Sequence, residues 1–171
     1  VTRTQQVQKA DVTTGNKAGI NDNSPKKGVD TIATKPVPQS QASNVYTYAP
    51  HTKYYAVVIL NKVDVVYGNE AKNALTRYNR EKYYNEPLQT ALQQLDSDNK
   101  LLVIGDFINV QAAIDYLQNA KAVAATQIMP WLKPEKYTFT LISEANFKLL
   151  QEKKDLAEYQ RFLDQNLPVK F

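Results

Sequence analysis

The sequence has no cysteine, one histidine and one tryptophan, and no aromatic residue precedes Tyr46. Without cysteine there are no disulfides and no thiolate metal sites, a condition that fits cytoplasm and periplasm equally. The one imidazole, His51, has no second ligand type at usable spacing, so it reads as an exposed histidine and not as a metal or catalytic group. Gly105 is a lone glycine after an apolar run. No G-x-G-x-x-G or G-K-[ST] accompanies it, which argues against a phosphate cradle. No stretch approaches the about 20 apolar residues needed to span a bilayer. The chain opens on Val1 and shows no charged start followed by an apolar run. We expect it to begin inside a longer precursor, with any export signal or lipid anchor upstream.

What is present divides into two parts. Residues 1–52 are dominated by Thr, Gln, Asn, Lys, Ser and Pro, a composition that buries too little apolar surface to offset chain entropy. They are expected to form a flexible linker, with Pro36-Val37-Pro38 as an extended piece. Residues 53–167 carry most of the aromatic residues and the apolar runs, and are expected to form one folded domain; 168–171 are a short tail. The net charge of +4 follows the same division, with +3 up to Thr52 and +1 beyond it. A nearly neutral domain lacks the concentrated basic face of a nucleic-acid binder.

Hydrophobic spacing predicts the elements. Lys53–Asn61 (KYYAVVILN) is apolar at both alternating sets, the pattern of a strand covered on both faces. Gly68-Asn69-Glu70 is taken as a helix start leading to Ala71, Ala74, Leu75 and Tyr78 at i, i+3, i+4 and i+7. Leu88–Leu95 is assigned as a strand, joined by the turn Asp96-Ser97-Asp98-Asn99 to a central strand, Leu101–Ile104, that Gly105-Asp106-Phe107 ends. Asn109 caps a helix presenting Val110, Ala113, Ile114, Leu117 and Ala120 to the core. Tyr137–Leu141 is the last strand. Ser143 then caps a helix with Phe147 and Leu150 inward, and Lys154-Asp155 separates it from another with Leu156, Tyr159 and Leu163. The order βαββαβ plus two helices predicts an α+β fold with a ferredoxin-like sheet. Because its first and third strands are apolar on both sides, the C-terminal helix pair is expected to cover the otherwise open face, anchored by Phe147, Leu150, Leu156 and Tyr159.

Candidate chemistry is sparse. Asp96-Ser97-Asp98-Asn99 opens like a calcium loop, but Leu101 stands where the glycine is needed and Phe107 where the bidentate glutamate is needed. It reads as a hairpin turn. Tyr54 and Tyr55 could stack bases, yet Leu101–Ile104 offers no matching aromatics, so no nucleic acid is expected. Glu144, Lys148, Glu152, Lys153 and Lys154 read as a solvated helix face. Three aromatics are candidate partner contacts. Trp131, between Pro130 and Pro134, either folds back as a lid on its own core, the plainer reading, or stands out as an anchor. Tyr46 and Tyr48 pin the linker either to the domain or to a neighbouring protein. No cofactor or catalytic residue is assigned.

Three segments carry a family resemblance: K-N-A-L-x-x-Y-N (Lys72–Asn79), L-L-V-I-G-D-F with its following helix (Leu101–Ala120), and I-S-E-x-N-F-K-L-L-x-x-K-K-D-L-x-x-Y-x-x-F (Ile142–Phe162). Together they resemble the C-terminal domain of the PorW/SprE family, periplasmic lipoproteins of the type IX secretion and gliding-motility machinery. The resemblance spans residues 53–167. It implies a non-enzymatic scaffold, outer-membrane associated on the periplasmic side, that links the ring and motor complex to the outer-membrane translocon. The lipidated cysteine and tetratricopeptide-type repeats of that family have no counterpart here, so contacts made through them do not transfer; residues 1–52 would serve as a tether. A second resemblance is to SPOR peptidoglycan-binding modules, which share the βαββαβ order and whose second half resembles Leu102–Phe107 with its alanine-rich helix. Their ligand lies on the open sheet face, the face expected to be covered here.

Overall fold

A computed structural model describes residues 45–167 and 169. Residues 1–44 of the linker expected over 1–52, and three of the four tail residues, lie outside that range. Strand β1, Tyr54–Asn61, is buried on both sides apart from its end, as its doubly apolar pattern requires. Strands β2 (Thr90–Gln94), β3 (Asn99–Phe107) and β4 (Tyr137–Ser143) complete a sheet of order β2-β3-β1-β4 in which every neighbouring pair is antiparallel. Helix α1 (Val65–Lys82) links β1 to β2, and α2 (Val110–Val123) links β3 to β4. Helices α3 (Glu144–Lys153) and α4 (Leu156–Asn166) follow. The fold is α+β with the ferredoxin-like strand order and two added helices, as expected.

The period-2 alternation of the strands sorts the core into two layers. Ala56, Val58, Leu60, Leu102, Ile104, Phe139 and Leu141 face α1 and α2, meeting Ala71, Ala74, Leu75, Ala113, Ile114 and Leu117. Val57, Ile59, Leu101, Val103 and Ile142 face the other way, meeting Phe147, Leu150 and Tyr159 of α3 and α4. The C-terminal pair therefore lies on the second face of the sheet. Burying each large side chain in these layers contributes roughly 1.5–3 kcal/mol. Two hydrogen bonds lock the pair further: Tyr159 Oη donates to the Leu141 carbonyl at 2.7 Å, and Gln151 Nε2 donates to Gln93 Oε1 at 2.8 Å.

Local chemistry sets the boundaries. Asn109, Ser143 and Asp155 cap α2, α3 and α4, each accepting from a backbone N–H three residues on. Lys154, at φ 55, makes the left-handed break between α3 and α4. The Asp96 carboxylate accepts from the backbone N–H groups of Asp98 and Asn99 and from the Asn99 amide, closing the β2–β3 hairpin.

Strand β2 is shorter than expected, Thr90–Gln94 against Leu88–Leu95, β4 runs past Leu141 to Ser143, and two further boundaries carry more weight. Helix α1 starts at Val65, not at Gly68, because Asp64 accepts from the Val66 N–H at 2.8 Å and supplies the cap. Gly68 falls inside the helix, where a Cβ would lie 3.2 Å from Leu92 Cδ2, a close approach of helix to sheet. Strand β3 does not end at Gly105 but runs to Phe107. Tyr54 pairs with Phe107 and Ala56 with Ile104, so β3 carries one extra residue in a bulge. Gly105 sits in that bulge at φ 133, a conformation that suits glycine.

Candidate partner-binding surface

The three candidate aromatics part company in the structure. Tyr46 is buried, only 5% exposed, against Tyr159 and Phe162, with ring centroids 4.9 and 5.7 Å away. The Lys153 ammonium lies 5.3 Å from the centre of its ring. Next to it, Asn146 clamps the backbone of Thr47 twice: its Oδ1 accepts from the Thr47 N–H at 3.1 Å and its Nδ2 donates to the Thr47 carbonyl at 2.9 Å. The Val110 N–H donates to the Pro50 carbonyl beyond. Residues from Val45 onward are thus part of the folded unit, and Tyr46 pins the segment to its own domain. Its ring is unavailable to a partner. Burial, then the nearby Glu158 and Asp155 carboxylates, push its phenol up to about 12. Tyr48 stays 39% exposed on the same strap.

Trp131 does not become a lid. Helix α2 runs out into a wide π-type turn, Ala124–Ile128, that leaves Ile128 and Met129 fully buried. The Met129 N–H donates to the Ala124 carbonyl and the Leu132 N–H to the Met129 carbonyl, folding the loop tightly about Pro130. Met129 and the half-buried Leu132 take the places on the core. Trp131, between them, is left 44% exposed.

It is not alone there. The first turn of α1 presents Val65, Val66 and Tyr67, all more than half exposed. Trp131, Tyr67, Val63 and Leu132 line a shallow groove of about 360 Å³, rimmed by Lys62, Lys133 and Lys136. Lys62 turns the chain from β1 into α1 at φ 51, its N–H donating to the Asp98 carbonyl at 2.7 Å. Its ammonium lies 3.6 Å from the Asp98 carboxylate, an exposed pair of little strength. The one carboxylate lining the groove, Asp64, is engaged as the α1 cap. Apolar walls with a basic rim suit a side chain flanked by negative charge.

Sequence reasoning missed Val65, Val66 and Tyr67. The signal was Asp64 ahead of them: as a cap it places three large apolar residues on the exposed first turn. Away from the groove, His51 is exposed, and among the described residues no group of His, Asp and Glu is arranged to hold a metal ion. No described helix is long and apolar enough to cross a membrane. The other pronounced feature is a buried polar link: Tyr116 Oη donates to Asn79 Oδ1 at 2.7 Å, and Asn79 Nδ2 donates to Thr90 Oγ1 at 3.1 Å. It ties α2 to α1 and α1 to β2. Burial holds the Tyr116 phenol far above its ordinary value, so it stays a neutral donor.

Comparison with family models, with curated proteins and with solved structures found no match to this chain.

Proposed function

We infer that the chain is a non-enzymatic partner-binding module of a type IX secretion assembly, a reading supported by the resemblance of Lys72–Asn79, Leu101–Ala120 and Ile142–Phe162 to PorW/SprE proteins. In this reading it is periplasmic and outer-membrane associated, linking the ring and motor complex to the outer-membrane translocon. The observation that carries the binding role is the groove in which the only tryptophan of the chain stands outward between the buried Met129 and the half-buried Leu132. Exposed apolar surface shaped into a groove and rimmed by charge is the usual mark of a protein contact. The covered second face of the sheet weighs against the peptidoglycan-binding alternative, whose ligand needs that face open.

The test is retention of translocon and ring components on the immobilised full chain. Specific retention of either is expected, and retention of neither overturns the assignment. Co-pelleting of the chain with peptidoglycan sacculi would instead favour the sugar-binding reading.

A further inference from the structure

The geometry points to a defined ligand class for the Trp131 groove: a short acidic peptide segment of a partner protein, with one large apolar side chain seated between Trp131 and Tyr67. This rests on the partner-binding reading and specifies what the partner must present.

Charge complementarity selects the occupant. Lys62, Lys133 and Lys136 stand around the groove, and among the described residues neither Lys133 nor Lys136 has a carboxylate within ion-pair distance. Lys62 is paired with the Asp98 carboxylate at 3.6 Å, and Asp64, the one carboxylate of the lining, already accepts the Val66 N–H, so the excess rests on Lys133 and Lys136. The local excess is positive in a chain that is nearly neutral beyond Thr52. Acidic groups flanking an apolar side chain would therefore be favoured at this spot. Exposed charges of this kind set orientation and association rate, and the apolar centre supplies the binding energy.

Size and shape exclude the alternatives. A volume of about 360 Å³ lies at the low end of the roughly 300–1,000 Å³ of ligand pockets and holds one or two side chains. The aromatics are walls of a concavity. A membrane anchor would need them to project from a convex basic surface, and the near-neutral domain offers little attraction to an anionic bilayer. Single-stranded nucleic acid would require a basic track with successive stacking platforms, and Trp131 and Tyr67 line a single small groove instead.

Trp131 is the only tryptophan, so its emission reports on this groove alone. Short randomised peptides displayed on phage, selected on the full chain and counter-selected on its Trp131→Ala variant, should enrich acidic sequences around one aromatic or large aliphatic residue. A synthetic peptide of the enriched sequence should shift Trp131 emission to shorter wavelength and saturate. Lys133→Glu with Lys136→Glu should weaken it about tenfold, as should Trp131→Ala read by calorimetry. Enrichment without acidic bias, equal enrichment on Trp131→Ala, or an emission shift produced by phosphatidylglycerol vesicles without peptide would overturn the proposal. A concentration-dependent dimer abolished by Trp131→Ala would also overturn it, making a second copy the occupant. Failure here is separable from failure of the parent reading: if Trp131→Ala retains secretion components as well as the unaltered chain does, the groove is wrong and the module reading stands.

Discussion

Two tyrosines of the α3–α4 layer should respond oppositely to the same deletion of one oxygen. Tyr159 is 1% exposed and its hydroxyl donates to the Leu141 carbonyl at 2.7 Å, tying α4 to β4. Tyr46, packed edge-on against it, also has its hydroxyl buried, but that oxygen has no hydrogen-bond partner among the described residues. Phenylalanine keeps both rings and their contacts, so only the hydroxyl is tested. Tyr159→Phe removes a buried hydrogen bond and weakens the satisfaction of a carbonyl, a loss of about 1–3 kcal/mol. Tyr46→Phe removes a polar group that was desolvated without return, which should be neutral or stabilising by up to about 1 kcal/mol. The assay is equilibrium urea unfolding, with midpoints compared at unchanged slope. In a thermal scan the Tyr159 loss corresponds to a fall of about 4 °C per kcal/mol for a domain of this size. Equal destabilisation by both substitutions would refute the assignment of the Tyr46 oxygen. No destabilisation by Tyr159→Phe would refute the docking of α4 on the sheet.

The neighbours Met129 and Trp131 should separate by thermal denaturation: Met129→Ala, emptying a fully buried site, should cost about 2–5 kcal/mol, whereas Trp131→Ala should cost less than about 1 kcal/mol. Gly105→Ala should destabilise by about 1–3 kcal/mol in urea unfolding, since φ 133 is strained for alanine and its Cβ would meet the Phe107 ring at 3.0 Å. Phenolate absorbance against pH should show Tyr46 ionising near 12, with folding stability intact below pH 10 and declining as pH rises from 10 to 12; Tyr46→Phe should remove that part of the decline. Burial raises the Asp96 carboxyl, but its hydrogen bonds from Asn99 and from the backbone of Asp98 and Asn99 outweigh that and hold it below 3.8. Its contribution should therefore be complete above that pH and disappear as pH falls through the lower folded value. Asp96→Asn should show a smaller acid-induced loss of stability.

The layered α+β architecture was legible because each strand and helix carries its own period. Both alternating sets of Tyr54–Leu60 are apolar, and only a strand between two helix layers can bury both. The caps at Asn109 and Ser143 were equally local, each serving an N–H three residues away. What escaped depended on distant partners or on competition for space. Tyr46 lies with Tyr48 in otherwise polar chain, and its burial follows from Tyr159, Phe162 and Asn146, which lie far along the sequence. Of the two readings of Trp131, lid or outward anchor, the plainer one fails because the smaller Met129 and Leu132 occupy the space on the core. The groove itself was hidden by one misplaced boundary: with α1 begun at Gly68, the exposed turn Val65-Val66-Tyr67 was not recognised as a surface.

The Asn146 clamp and the Tyr46 nest fasten the incoming chain to the α3–α4 side, whereas Val63 and Leu132 at the floor of the Trp131 groove belong to the α1–α2 side. The Tyr46 nest and the groove thus occupy opposite sides of the sheet, with two side-chain layers between them. Tension drawn through the incoming chain is met first by an amide and an aromatic cage, before any strand is asked to part from its neighbour.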